Sequence, residues 1–181
     1  MFILKKVYCR IFQKIFRIAL PLLPYREPEI LESIELIPET VVKNGCKKPI
    51  IVTDKGIVNL GLIDSLVEAL KKSEIPFAIY DQTVPNPTTD NVAKAYDLYK
   101  KENCDCLIAF GGGSSMDCAK ALGVQIVYPK KTSGQLKGIL KVHKKLPLLI
   151  AIPTTAGTGS ETTLAAIITD SKTRHKYAIN S

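Results

Sequence analysis

The chain has 181 residues, 46% hydrophobic and 23% charged, a composition that builds a globular core and excludes a disordered chain. Its 25 Lys+Arg against 17 Asp+Glu give a formal net charge of +8, which bears on partners and solubility rather than on fold. Only two histidines are present, His143 and His175, too few for a His-rich catalytic metal centre built by this chain alone.

The first segment, MFILKKVYCRIFQKIFRIALPLL, lacks the unbroken apolar region and cleavage site of a signal peptide. It has no window of 18 uncharged apolar residues, so no transmembrane span is expected. Its period predicts an amphipathic helix ended by Pro21. Lys5, Lys6, Cys9, Arg10, Gln13, Lys14 and Arg17 fall on one stripe, and apolar residues cover the rest. Such a helix either docks on the body of the protein or lies on an anionic membrane surface through residues 2–20. A Pro/Glu-rich connector follows, then a short helix with a turn at Asn44-Gly45. Residues 1–44 are read as helix and connector, and 45–181 as one α/β domain.

From Pro49 the pattern alternates. Strands are predicted at 50–53, 77–80, 106–110 and 148–152. Helices are predicted at 58–72, 88–101 and 114–126, the first with Leu62, Leu66, Ala69 and Leu70 inward. Residues 163–169 and 177–179 form a hairpin across Asp170-Ser171-Lys172. Continuous apolar strands alternating with helices imply a mostly parallel, Rossmann-like sheet covered on both faces. Residues 128–146 read as a basic surface connector.

The five cysteines, Cys9, Cys46, Cys104, Cys106 and Cys118, are odd in number and show no C-x-x-C spacing, which fits reduced thiols in the cytoplasm. Cys104 and Cys106 read as packing thiols. The positive charge is local. Residues 1–17 carry five cations and no acid, and 128–146 carry six lysines and no acid. Removing these eleven charges from +8 leaves the remainder at −3, so a nucleic-acid partner has no support.

Four strand-end loops carry chemistry. Gly111-Gly112-Gly113-Ser114-Ser115-Met116-Asp117 opens a helix directly after a strand. Glycines there allow close backbone approach, and a helix N-terminus holds an anion such as pyrophosphate. Ser114 and Asp117 read equally as a capping-box-like pair. Asp54, in TDKG, reads as a ribose-hydroxyl acceptor or as a plain N-cap. Thr154, Thr155 and Thr158, in PTTAGTGSE, offer hydroxyls and amides to a cofactor. Asn86, held between Pro85 and Pro87, reads as a ligand contact or a helix-entry turn. All four loops follow strands, so they gather on one sheet edge.

TDKG, PNPT, GGGSSMDCAK and PTTAGTGSE, in this order and spacing, resemble the iron-containing (group III) alcohol dehydrogenase family, specifically its N-terminal nucleotide-binding domain. The resemblance runs from about residue 45 onward. It implies an NAD-dependent, metal-dependent oxidoreductase acting on an alcohol, with NAD favoured over NADP by Asp54. It further implies that Asn86 lies near the cofactor and that Gly112, Gly113, Ser114 and Asp117 form the pyrophosphate turn. Thr154, Thr155 and Thr158 then form the second nucleotide loop, while Thr163 and Lys176 line the ribose or nicotinamide side. The family's metal, Fe2+ or Zn2+, is held by an Asp and three His from a C-terminal helical domain. Neither His143 nor His175 stands in a matching context, so no catalytic or metal residue is assigned and the chain alone is expected to be inactive.

The implied partners are the nicotinamide cofactor and, in the complete enzyme, a small alcohol or aldehyde. Oligomeric state stays open, a homodimer included. Tyr8-Cys9-Arg10 and residues 23–28 look like an extension carried by some members. The competing classes are a non-catalytic nucleotide-binding module and a membrane- or partner-binding protein led by the basic helix.

Overall fold

A computed structural model describes residues 2–19, 28–138 and 141–180. The chain divides into two compact units, Met1–Ile30 and Leu31–Ser181. The first holds helix α1, Phe2–Ala19. Pro21, expected to end it, and Leu20 lie outside the described residues, as do residues 23–27 of the extension motif.

The second unit is built on a four-stranded parallel sheet of β1 (Pro49–Val52), β2 (Ala78–Tyr80), β3 (Cys106–Gly111) and β4 (Leu149–Pro153). Its order is β2-β1-β3-β4. Val52 pairs with Tyr80 on one side and Ala109 on the other, and Phe110 pairs with Ile152. The central strands β1 and β3 are buried along their whole length, as expected of a parallel sheet with both faces covered. Ile50, Val52, Leu107 and Ala109 face helices α5 (Thr89–Lys101) and α6 (Gly113–Val127). Ile51, Ile108 and Phe110 face α2 (Ile37–Lys43), α3 (Lys55–Asn59) and α4 (Asp64–Lys72). Each fully buried Ile or Leu contributes about 2 kcal/mol of transfer free energy.

The connections differ from the sequence expectation in three places. The single helix at 58–72 is two. Gly61 adopts φ +67°, a left-handed conformation that stops α3, and α4 restarts after it. The break leaves Leu62 exposed and puts Ile63 inward beside Leu66 and Leu70. Helix α2 belongs to the core rather than to a connector, because Ile37 and Val41 are buried against Leu66 and Leu70. The basic stretch 128–146 is not wholly a surface connector. A capping box of Thr132 and Gln135 starts a 3-10 turn that buries Leu136, and Val142 is buried as well. The described lysines of the stretch point outward.

Strands β5 (Ala165–Thr169) and β6 (Lys176–Asn180) form an antiparallel hairpin of their own. Ala166 and Ile168 alternate inward into the core that α6 shares. Asp170 shapes the turn by accepting from Lys172 N and Thr173 N, both at 2.8 Å.

Candidate functional site

The chain leaves β1 toward one side of the sheet and returns on its other side at β3. The carboxyl ends of β1 and β3 therefore border a crevice, where open α/β sheets bind ligands. A cleft of about 1040 Å³ opens there, walled by the loops after β1, β2, β3 and β4 and by Ile167 and Lys176 of the hairpin. Ten of the eleven residues singled out from the sequence line it, all but Thr163.

The floor of the cleft is the turn from β3 into α6. Gly111 ends the strand at φ +142°. A Cβ there would stand 2.6 Å from Ser115 Oγ and 3.0 Å from its Cβ, so Ser115 or the turn would have to shift. Gly112 is the N-cap of α6 and supplies no side-chain hydrogen bond. The expected capping pair is therefore not formed. The helix begins one residue earlier than Ser114, so Ser114 Oγ accepts instead from Asn86 N at 3.2 Å. The Asp117 carboxylate accepts from the Ile167 backbone N–H, and burial raises its pKa. Ser115 is 1% exposed, lines the cleft, and has a hydroxyl with no partner among the described residues. An orphaned buried hydroxyl costs about 1–3 kcal/mol. It stands in the first turn of a helix whose leading N–H groups have no side-chain cap. This is a cradle for an anion.

The second wall is the loop after β4. Thr154 N donates to Gly111 O at 3.0 Å. A Cβ on Gly112 would meet Thr155 Oγ1 at 3.2 Å, and one on Gly113 would meet Ser160 Oγ at 3.1 Å. The glycine run thus serves two close approaches, one toward the cleft and one toward this loop. Thr154, Thr155 and Thr158 line the cleft, but Thr163 faces elsewhere. Its hydroxyl accepts from Lys120 Nζ at 2.9 Å. Lys120, 9% exposed, also donates to Ser160 O and, at 3.1 Å, to Ala165 O. Burial lowers its pKa, while Asp117 and Glu161 raise it. The sequence motifs assign Lys120 no role; its signal is a lone lysine among the small and apolar residues 118–124 of a helix that packs on a sheet.

Asp54 caps α3, its Oδ1 accepting from Ile57 N at 3.1 Å. Its Oδ2 lies toward Gly111, 3.7 Å from where a Cβ would stand. One carboxylate therefore caps a helix and also borders the crevice. Asn86 adopts φ +56°, a conformation Asn tolerates. Its Oδ1 accepts from Lys176 Nζ at 2.6 Å. Thr169 N donates to Pro87 O at 2.9 Å, so the hairpin and the loop after β2 close one end of the cleft together.

Among the described residues, no imidazole lines the cleft. His175 stacks on Tyr177 and approaches Lys137 Nζ, and the His143 backbone N donates to Tyr128 Oη. Cys46, Asp105 and Cys106 bring ligand-type atoms within 4.8 Å of one another, but at the amino edge of the sheet. There Asp105 already accepts from Lys47 N at 2.7 Å and Lys48 N at 3.0 Å. Cys104, Cys106 and Cys118 are buried packing thiols, and burial pushes Cys104 up to about 11 and Cys118 up to about 12.

A parallel α/β sheet with a glycine turn, an uncapped helix start and an acid across the switch point defines a dinucleotide-type fold. A family model described as iron-containing alcohol dehydrogenase matches residues 31–181. The chain belongs to that family, whose N-terminal domain it carries. A choline dehydrogenase of Bacillus subtilis is 42% identical over 141 residues, which are 77% of this chain and 35% of that protein. The solved structure of a 1,3-propanediol oxidoreductase superposes with a TM-score of 0.79 at 35% identity, over 83% of this chain and 39% of that one. A sulfoacetaldehyde reductase from Bifidobacterium kashiwanohense, solved in complex with NAD+, superposes with a TM-score of 0.70 at 31% identity, over 82% and 39%. The chain thus spans little more than a third of the length of these relatives.

Proposed function

We propose that this chain is the cofactor-binding half of an NAD-dependent alcohol dehydrogenase that oxidises a small alcohol to its carbonyl or runs the reverse reaction. The observation that carries the proposal is the convergence of four strand-end loops on the uncapped start of α6, with the orphaned Ser115 hydroxyl beneath it. The family membership and the NAD+-bound structural neighbour support it.

In this reading the first N–H groups of α6 and the Ser115 hydroxyl hold the pyrophosphate. Gly112 and Gly113 keep that surface clear. Asp54 Oδ2 accepts from the adenosine ribose hydroxyls and repels a 2′-phosphate. Thr154, Thr155 and Thr158 orient the other half of the cofactor, with Lys176 and Asn86 closing over it. Thr163 acts indirectly, holding the loop after β4 through Lys120. When bound, NAD supplies a nicotinamide that accepts hydride. The family's metal, iron or zinc, does not fit the donor set of this cleft, which offers carboxylates and hydroxyls without an imidazole. The residues described here therefore bind cofactor without turning over alcohol by themselves.

The cofactor preference is tested by calorimetric titration of NAD and NADP into the chain and its Asp54→Asn variant. Asn retains the N-cap and removes the charge. The expected result is NAD binding with little NADP binding in the parent, and a preference narrowed by about tenfold in the variant. An unchanged preference contradicts the role given to Asp54.

A further inference from the structure

We infer that α1 is a peripheral membrane anchor that lies in the surface of an anionic phospholipid bilayer. Three observations carry this. The helix Phe2–Ala19 contains no acidic residue. Lys6, Arg10, Lys14 and Arg17, spaced four, four and three apart, form one cationic row. Beside it Val7, Ile11, Ile15 and Ile18 repeat the same spacing, and Tyr8, Phe12 and Phe16 extend that face. Their rings stack in succession, with centroids 6.5 and 6.1 Å apart. All these side chains are exposed, Ile15 at 61% and Ile18 at 73%.

A helix of this length spans about 27 Å but is not apolar enough to cross a membrane. It can lie flat, with its apolar face in the acyl boundary and its cations among the headgroups. The charge selects the partner. Two copies packing apolar face to apolar face would bring cationic rows together with no carboxylate to pair them. An anionic lipid surface supplies the missing negative charge and needs no shaped groove.

Co-sedimentation of the full chain with phosphatidylcholine vesicles, with and without phosphatidylglycerol, tests this. The chain is expected to sediment with the anionic vesicles and to stay in solution with the neutral ones. Raising the salt should release it. Each of Lys14→Gln and Arg10→Gln should lower the partition roughly fivefold. The salt and lipid dependence are read on the unmodified chain, so the outcome does not hinge on a variant folding. Equal sedimentation with neutral and anionic vesicles overturns the inference. So does self-association in solution without capture by either vesicle, or partition unchanged in both variants.

Discussion

Ser115 and Asp117 show how the site's chemistry is set one residue at a time. They stand two apart in the first turns of α6. Ser115 Oγ is buried with no partner among the described residues, while the Asp117 carboxylate is half-buried beside Ile167 with Lys120 and Lys176 nearby. Burial raises the Asp117 pKa above its ordinary 3.8, against the pull of that N–H and those cations. Just above 3.8 the folded chain holds a proton that the unfolded chain has released. Stability therefore falls as pH rises through the interval up to the folded pKa. Asn in place of Asp keeps an acceptor for the Ile167 N–H and has no proton to lose. Thermal unfolding at about pH 4 and about pH 7 should show Asp117→Asn gaining on the parent at the higher pH. A constant difference between the two proteins would contradict the half-buried placement of this carboxylate.

Helix starts and stops decide where the loops point. Thr88 and Asn91 form a reciprocal capping box at the start of α5. Asn91 Nδ2 also reaches Gln82 O at 2.7 Å and Tyr80 Oη at 3.3 Å, so the cap fixes the loop that presents Asn86. Thr88→Ala should cost about 1 kcal/mol, read as a lower urea midpoint with an unchanged slope. No shift in midpoint would mean the cap is idle. The strands and most helices were legible because apolar runs and helical periods report burial directly. Gly61 was not, because an isolated glycine in a helical period reads the same whether it is tolerated or breaks the helix. Lys120 was not, because its three acceptors come from the loop after β4 and the start of β5, some 40 residues away. Family likeness puts Thr163 on the ribose or nicotinamide side, and only the position of Lys120 shows where its hydroxyl goes.

At the scale of the molecule, the cleft exists because the strand order reverses between β1 and β3 and gathers the loops after every sheet strand on one edge. That gathering was legible from the sequence, since all four motifs follow apolar runs. The reason for three successive glycines was only half legible, because the loop after β4 packs on them as closely as any ligand would. The same packing gives the sharpest test. A side chain on Gly112 would press on Thr155, with contacts of 3.2 and 3.3 Å already at Cβ, and would crowd the anion cradle. Calorimetric titration of NAD into the parent and Gly112→Val, with far-ultraviolet circular dichroism confirming that both are folded, tests whether this turn holds the cofactor. NAD should bind the parent and lose at least roughly tenfold in affinity in the folded variant. Equal affinity in both, or no NAD binding by the folded parent, would contradict that role.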